Sequence, residues 1–90
     1  MAIAIITPSD LRKFALQLEK TAEKILARKN KAARQVKDAK TVWKDVKYKR
    51  FSDVFDRTVK DLDRFAQRTK DYAKFLNRKA ALAENYLKRK

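Results

Sequence analysis

Hydrophobic residues return along this chain at intervals of three and four, interrupted once near the middle. In the first half they fall at Leu11, Phe14, Ala15, Leu18, Ala22, Ile25, Ala32, Val36, Ala39 and Trp43. That spacing keeps them on one side of an α-helix with 3.6 residues per turn. The second half is more regular. Tyr48, Phe55, Leu62, Thr69, Leu76 and Ala83 recur every seven residues, Phe51, Phe65, Tyr72 and Tyr86 lie between them, and Val59, Ala66, Ala73, Ala80 and Leu87 flank them. This stripe is three columns wide, and Val54, Phe75 and Leu82 widen it at its ends. Two long amphipathic helices are therefore expected, one over about 8–41 and one over about 47–88, joined by a turn at about 42–46.

The ends of both runs carry start signals. Thr7 can cap the first helix, Pro8 suits its first position because the missing N–H would have no helical partner there, and Asp10 sits in the first turn. Asp45 can cap the second helix in the same way, and Phe51 opens its apolar stripe. Trp43, the only tryptophan, is expected to pack into the corner where the two helices meet. The first stripe weakens at Arg28-Lys29-Asn30-Lys31, but no Gly or Pro stops the helix there, so one continuous helix is preferred to a break near Asn30.

A two-helix hairpin needs about two apolar positions in seven, so a third column on the second helix implies more helices than one chain supplies. The expected fold is all-α, an antiparallel helical hairpin that forms a single domain and dimerises into a four-helix bundle. With Leu62, Phe65 and Leu76 closing the hairpin against Leu11, Leu18 and Ile25, an interface to a second hairpin is expected at Val59, Ala66, Ala73, Ala80 and Leu87 on one edge. Phe75 and Leu82 supply the other edge.

Composition narrows the function classes. The 90 residues contain no Gly, one Pro, no Cys and no His. Glycine-rich turns of β folds, disulfides, thiolate nucleophiles, imidazole bases and ordinary zinc sites are thereby unavailable. No catalytic residue set, metal site or cofactor is expected. Carboxylates such as Asp53 and Asp56 lie at helical spacing from Arg57 and Lys60, where ion pairing is the ordinary use. The apolar opening Met1–Ile6 is too short for a secretory leader or a membrane span, so a protein without transmembrane segment or cleaved leader is expected.

The net charge of +14 is spread along the chain, with 10 basic against 4 acidic residues up to Val42 and 15 against 7 from Trp43 onward. Such a charge attracts polyanions or acidic partners. The candidates for an anion-binding patch are Arg28, Lys29 and Lys31 in the first helix, with Lys44, Lys47, Lys49 and Arg50 at the corner.

With the hairpin drawn, the chain resembles the WXG-motif family of small type VII (ESX) secretion proteins. Ile6-Thr7-Pro8 with Leu11 resembles the family's opening, Trp43-Lys44-Asp45 stands in place of Trp-x-Gly, Phe51 matches the aromatic that follows, and Tyr86-Leu87 resembles the closing apolar pair. Two features depart from the family pattern. Asp45 replaces the glycine, and no Tyr-x-x-x-Asp/Glu export sequence is met, since Tyr48, Tyr72 and Tyr86 are followed at that spacing by Ser52, Leu76 and Lys90. The resemblance implies a cytoplasmic protein, exported without a cleaved signal peptide or escorting others, that pairs with itself or a sister hairpin and engages a secretion ATPase or toxin. The alternative from charge alone is a basic, nucleoid-type nucleic-acid-binding protein.

Overall fold

The structure, a computed structural model, describes residues 6–43 and 46–88. It consists of two helices, α1 (Pro8–Ala39, 32 residues) and α2 (Val46–Lys88, 43 residues), folded back on one another as a hairpin. No strand occurs among the described residues. α1 runs through Asn30 unbroken.

Thr7 caps α1 from an extended backbone (φ −90°, ψ 160°), with Pro8 at the first helical position. The Asp10 N–H donates to Thr7 Oγ1 at 3.1 Å, and the Thr7 N–H donates to Asp10 Oδ2 at 3.2 Å. Two of the N–H groups that a helix start leaves unpartnered are satisfied in this reciprocal box. The C-terminus ends without glycine or a left-handed residue. Lys40, Thr41 and Val42 tighten into i→i−3 bonds to Lys37, Asp38 and Ala39, and the Trp43 N–H reaches the Ala39 carbonyl at 2.8 Å. α1 is thus about two residues shorter than the periodicity predicts, because these bonds use up the last carbonyls in a narrower turn. The cap expected at Asp45 lies outside the described residues, as does Lys44.

Lettering each helix a to g places the packed rows at a and d. On α1 these are Pro8, Leu11, Ala15, Leu18, Ala22, Ile25, Lys29, Ala32, Val36 and Ala39, all buried or half-buried. On α2 the rows run from Tyr48 through Ser52, Phe55, Val59 and Leu62 to Ala66, Thr69, Ala73, Leu76, Ala80 and Ala83, again without an exposed member. Both series alternate steps of three and four throughout, the pattern of a coiled-coil seam.

The fully buried residues of this seam are small: Ala15, Ala22, Ala73 and Ala80 are 0% exposed and Ala66 is 1%. Small side chains let the axes approach toward the lower end of the usual ~8–10 Å. Leu76, 7% exposed, packs with Ala15 and Ala73, and Leu11 and Leu18 lean on that cluster. The column assignment expected from sequence changes accordingly. Ala66, Ala73 and Ala80 are inside the hairpin instead of forming an edge for a second molecule, and Phe65, expected inside, is 56% exposed. Phe65 precedes Ala66 by one position, so the helical phase that seats Ala66 in the seam turns the benzyl group to the flank.

The molecule is a rod of 68 × 29 × 15 Å. Its radius of gyration of 20.1 Å far exceeds the ~12 Å of a compact 90-residue domain. One layer of two helices leaves every large side chain with at least one open side. The aromatics are therefore available at the surface by construction.

Candidate partner-docking face

Each flank of the seam has its own chemistry. On one side Arg12 Nε donates to Glu84 Oε1 at 2.7 Å, Lys29 Nζ donates to Asp63 Oδ1 at 2.6 Å, and Lys70 Nζ lies 2.8 Å from Glu23 Oε1. Glu84, Asp63 and Lys70 all occupy the e row of α2, so this flank is zipped by ion pairs between the helices. The ion pairs expected of Asp53 and Asp56 with Arg57 and Lys60 are not formed among the described residues; within α2, Asp61 lies 3.8 Å from Arg64. Arg12 holds the Glu84 carboxyl below the ordinary range by hydrogen bonding and by charge, and Glu84 raises the Arg12 guanidinium in return. Asp10 is lowered by the Thr7 N–H and hydroxyl.

The opposite flank, rows g and c of α2, is apolar and open. Phe51, Val54, Phe65, Tyr72, Phe75, Leu82 and Tyr86 are all exposed along it. Tyr72 and Phe75 stack with centroids 5.8 Å apart, and Lys79 Nζ sits 5.5 Å over the Phe75 ring. These rows also alternate steps of three and four, so α2 carries a second seam roughly 105° around its axis from the first. Beside it runs a row of arginines, Arg50, Arg57, Arg64 and Arg78, spaced in multiples of seven and exposed. α1 adds Phe14, also exposed, on its own g row.

At the corner, Trp43 meets Tyr48 edge-to-face at 5.7 Å and Phe51 at 6.2 Å, and Phe51 stacks on Phe55 at 6.1 Å. The Tyr48 hydroxyl donates to the Val36 carbonyl at 3.1 Å, tying the start of α2 to the last turns of α1. Trp43 is not sealed in as expected: it is 40% exposed, because among the described residues only the two helices converge there and none covers its outer edge. Trp43 and Phe51 are brought together; Asp45 lies outside the described residues.

The residues expected at a second-hairpin interface divide into two groups. Phe75, Leu82 and Leu87 are exposed, and Val59 is half-buried in the seam with the three alanines. What the sequence reading placed between the columns, the row containing Phe51, Phe65, Tyr72 and Tyr86, is the surface that is free to dock. The signal that identifies it is the unbroken 3–4 alternation of the a and d rows, which assigns the seam and leaves the remaining apolar row outside.

The basic residues do not form one patch. Arg28 and Lys31 are exposed on α1, whereas Lys47, Lys49 and Arg50 are exposed at the start of α2, roughly 20 Å away along the rod. Lys29 sits at a seam position with 14% of its side chain exposed and is engaged by Asp63, so it points away from any external anion. Of the shallow grooves that border the seam, one is lined by Lys20, Lys24, Lys70 and Lys74 together with Glu19, Glu23 and Leu16, and another by Lys37, Lys40, Thr41, Trp43 and Tyr48. No group of three or more metal-binding side chains occurs among the described residues, and no described helix is long and apolar enough to cross a membrane. No protein-family model matches the chain, and no curated protein matches it at a significant level.

Proposed function

We infer that this protein is a non-enzymatic interaction module, a helical hairpin that docks a second hairpin through the aromatic rows of α2. The observation that carries this reading is the exposed second seam from Phe51 to Tyr86, periodic with the first, on a helix whose partner is already seated. Helices that pack on one side are apolar on one side; a helix apolar on two belongs to a larger bundle. The pairing partner is the same chain or a sister hairpin.

The place of such a module is as a substrate or chaperone-like escort of a type VII-like secretion system, acting from the cytoplasm and engaging a secretion ATPase or toxin. Support comes from the resemblance of Trp43-Lys44-Asp45, Phe51 and the Ile6-Thr7-Pro8 opening, together with the hairpin itself. The test is export in the native host. The protein is expected in the culture medium of wild-type cells and absent from that of cells lacking the system's membrane ATPase; equal amounts in both reject the secretion role.

A second reading has an observation of its own. Phe51, Phe65, Tyr72 and Phe75 stand open beside an arginine row, and exposed rings next to cations are how single strands are bound without sequence preference. Titration with single-stranded oligonucleotides at physiological salt separates the readings. Docking a hairpin predicts only weak, steeply salt-dependent association, and saturable submicromolar binding makes nucleic acid the target.

A further inference from the structure

The second seam of α2 is not uniformly apolar, and its polar members decide what can lie on it. Thr58, Asp61, Arg68 and Lys79 interrupt the aromatic and aliphatic residues of rows g and c. A covering helix must satisfy one carboxylate and two cations at those places, because charge covered without a partner is costly. The chain contains a helix that does so.

Two copies of α2 laid antiparallel match rows g against rows c only in registers that differ by seven residues, since the 3–4 alternation must coincide on both. In one of these, residue numbers facing each other sum to 140. Asp61 then faces Lys79 of the second copy, Arg68 lies on the Tyr72 ring, Phe65 meets Phe75, and Val54 meets Tyr86. Each pairing occurs twice by symmetry, so Asp61 and Lys79 are matched in charge, Arg68 finds an aromatic face, and Phe65, Tyr72, Phe75 and Tyr86 are covered, with Phe51 beyond the overlap. Moving by seven one way sets Val54 against Lys79 and Asp61 against Tyr72. Moving the other way sets Arg68 against Lys79. A parallel pairing in register stacks Asp61 on Asp61 and Arg68 on Arg68.

We propose that the second seam is occupied by α2 of another copy of this chain, antiparallel and in the register that pairs Asp61 with Lys79 and Phe65 with Phe75. The proposal rests on the docking reading above and specifies the occupant. The strip is about 50 Å long and about 12 Å wide, roughly 600 Å² per copy, which approaches the ~800 Å² per partner of a standard interface. α1 stays outside the pairing, since its own c row is polar (Asp10, Gln17, Lys24, Lys31, Asp38). With the two seams roughly 105° apart, the two-fold axis puts both α1 helices on the same side of the α2 pair, and the assembly is an open four-helix arrangement.

The chain has no cysteine, so introduced thiols report geometry without background. An equimolar mixture of Arg68→Cys and Tyr72→Cys proteins is expected to oxidise to a disulfide-linked dimer much faster than a mixture of Phe65→Cys and Arg68→Cys. In sedimentation at micromolar to hundred-micromolar concentration, Lys79→Asp weakens the dimer about tenfold although it lowers the repulsion between two basic copies, and adding Asp61→Lys restores it. Circular dichroism on each variant separates loss of pairing from loss of fold. Faster cross-linking of the Phe65 and Arg68 pair, or no rescue in the charge swap, rejects this register and leaves the docking reading standing. A well-folded monomer at every concentration rejects self-pairing; if that monomer binds an acidic helical hairpin, the occupant is a different chain, and if Phe65→Glu/Phe75→Glu binds it equally well, the docking face itself is misassigned.

Discussion

Ala73 and Ala22 have no accessible surface and face a partner helix at close range, so their size sets the distance between α1 and α2. A larger residue must push the helices apart or adopt a strained rotamer, and overpacking of this kind costs about 1–3 kcal/mol. Ala73→Leu is expected to lower stability by that amount in urea unfolding followed by circular dichroism. Phe65→Leu, on the open flank, is expected to leave it nearly unchanged. Trp43→Ala removes a half-exposed ring and costs about 1–2 kcal/mol, below the ~3–5 kcal/mol of a buried aromatic. Lys29 carries the other informative residue-scale feature, a cation in the a row beside a carboxylate that is 47% exposed. A charged group at a seam position fixes register at some expense of stability. Lys29→Met is therefore expected to raise the melting temperature or leave it unchanged, whereas Asp63→Ala, which leaves the half-buried ammonium without its partner, lowers it.

At the scale of the helices, two contacts made by titrating groups, Asp10 with Thr7 and Glu84 with Arg12, secure element ends. Asp10 at the start of α1 and Glu84 near the end of α2 both titrate lower in the folded protein than unfolded, through the Thr7 cap and through Arg12. Their contribution is present above the ordinary carboxylate range and is lost as pH falls through the folded values, below about pH 4. Arg12, raised by the same contact, stays charged throughout, so the pair persists from the carboxylate range up to the guanidinium range. With no His or Cys, no side chain has an ordinary pKa between about 5 and 8. Thermal unfolding is expected to be flat across that interval and to fall first on the acid side, beginning with the ends that Thr7, Asp10 and Glu84 secure. A melting temperature that changes sharply between pH 5.5 and 7.5 contradicts this account.

The elements themselves were readable from residue spacing because helix existence follows from period, and both runs are long. Their boundaries followed from Thr7, Pro8 and Asp10 at one end, whereas the close of α1 rests on i→i−3 bonds that leave no residue signature without glycine. The docking face was half legible. Three apolar columns announce surplus surface, but which two form the seam depends on how near the backbones come, and that is set by Ala15 and Ala22 opposite Ala66, Ala73 and Ala80. Hydrophobicity alone ranks Phe65 above Ala66 for burial, and close packing reverses the order.

The whole molecule combines a thin rod with a high charge of one sign, and the two together govern its response to salt. A net charge of +14 along 68 Å is one unbalanced cation for roughly every 5 Å of length, well inside the ~10 Å screening length at 0.1 M salt. Folding brings two basic helices side by side and raises that density, so self-repulsion opposes the hairpin. The three ion pairs between helices act the other way, but each has a partner at least 40% exposed, and solvent screening leaves such pairs little net contribution. Repulsion among 25 basic residues balanced by 11 acidic ones outweighs three such pairs. Raising sodium chloride from about 0.05 to about 0.5 M shortens the screening length severalfold, which weakens both terms but removes more of the larger one. The melting temperature is therefore expected to rise with salt at fixed protein concentration, and to rise also in a Phe65→Glu/Phe75→Glu variant held monomeric, where screening between copies plays no part. A fall in both proteins means that the ion pairs along the e row, and not repulsion, dominate the electrostatics of the rod.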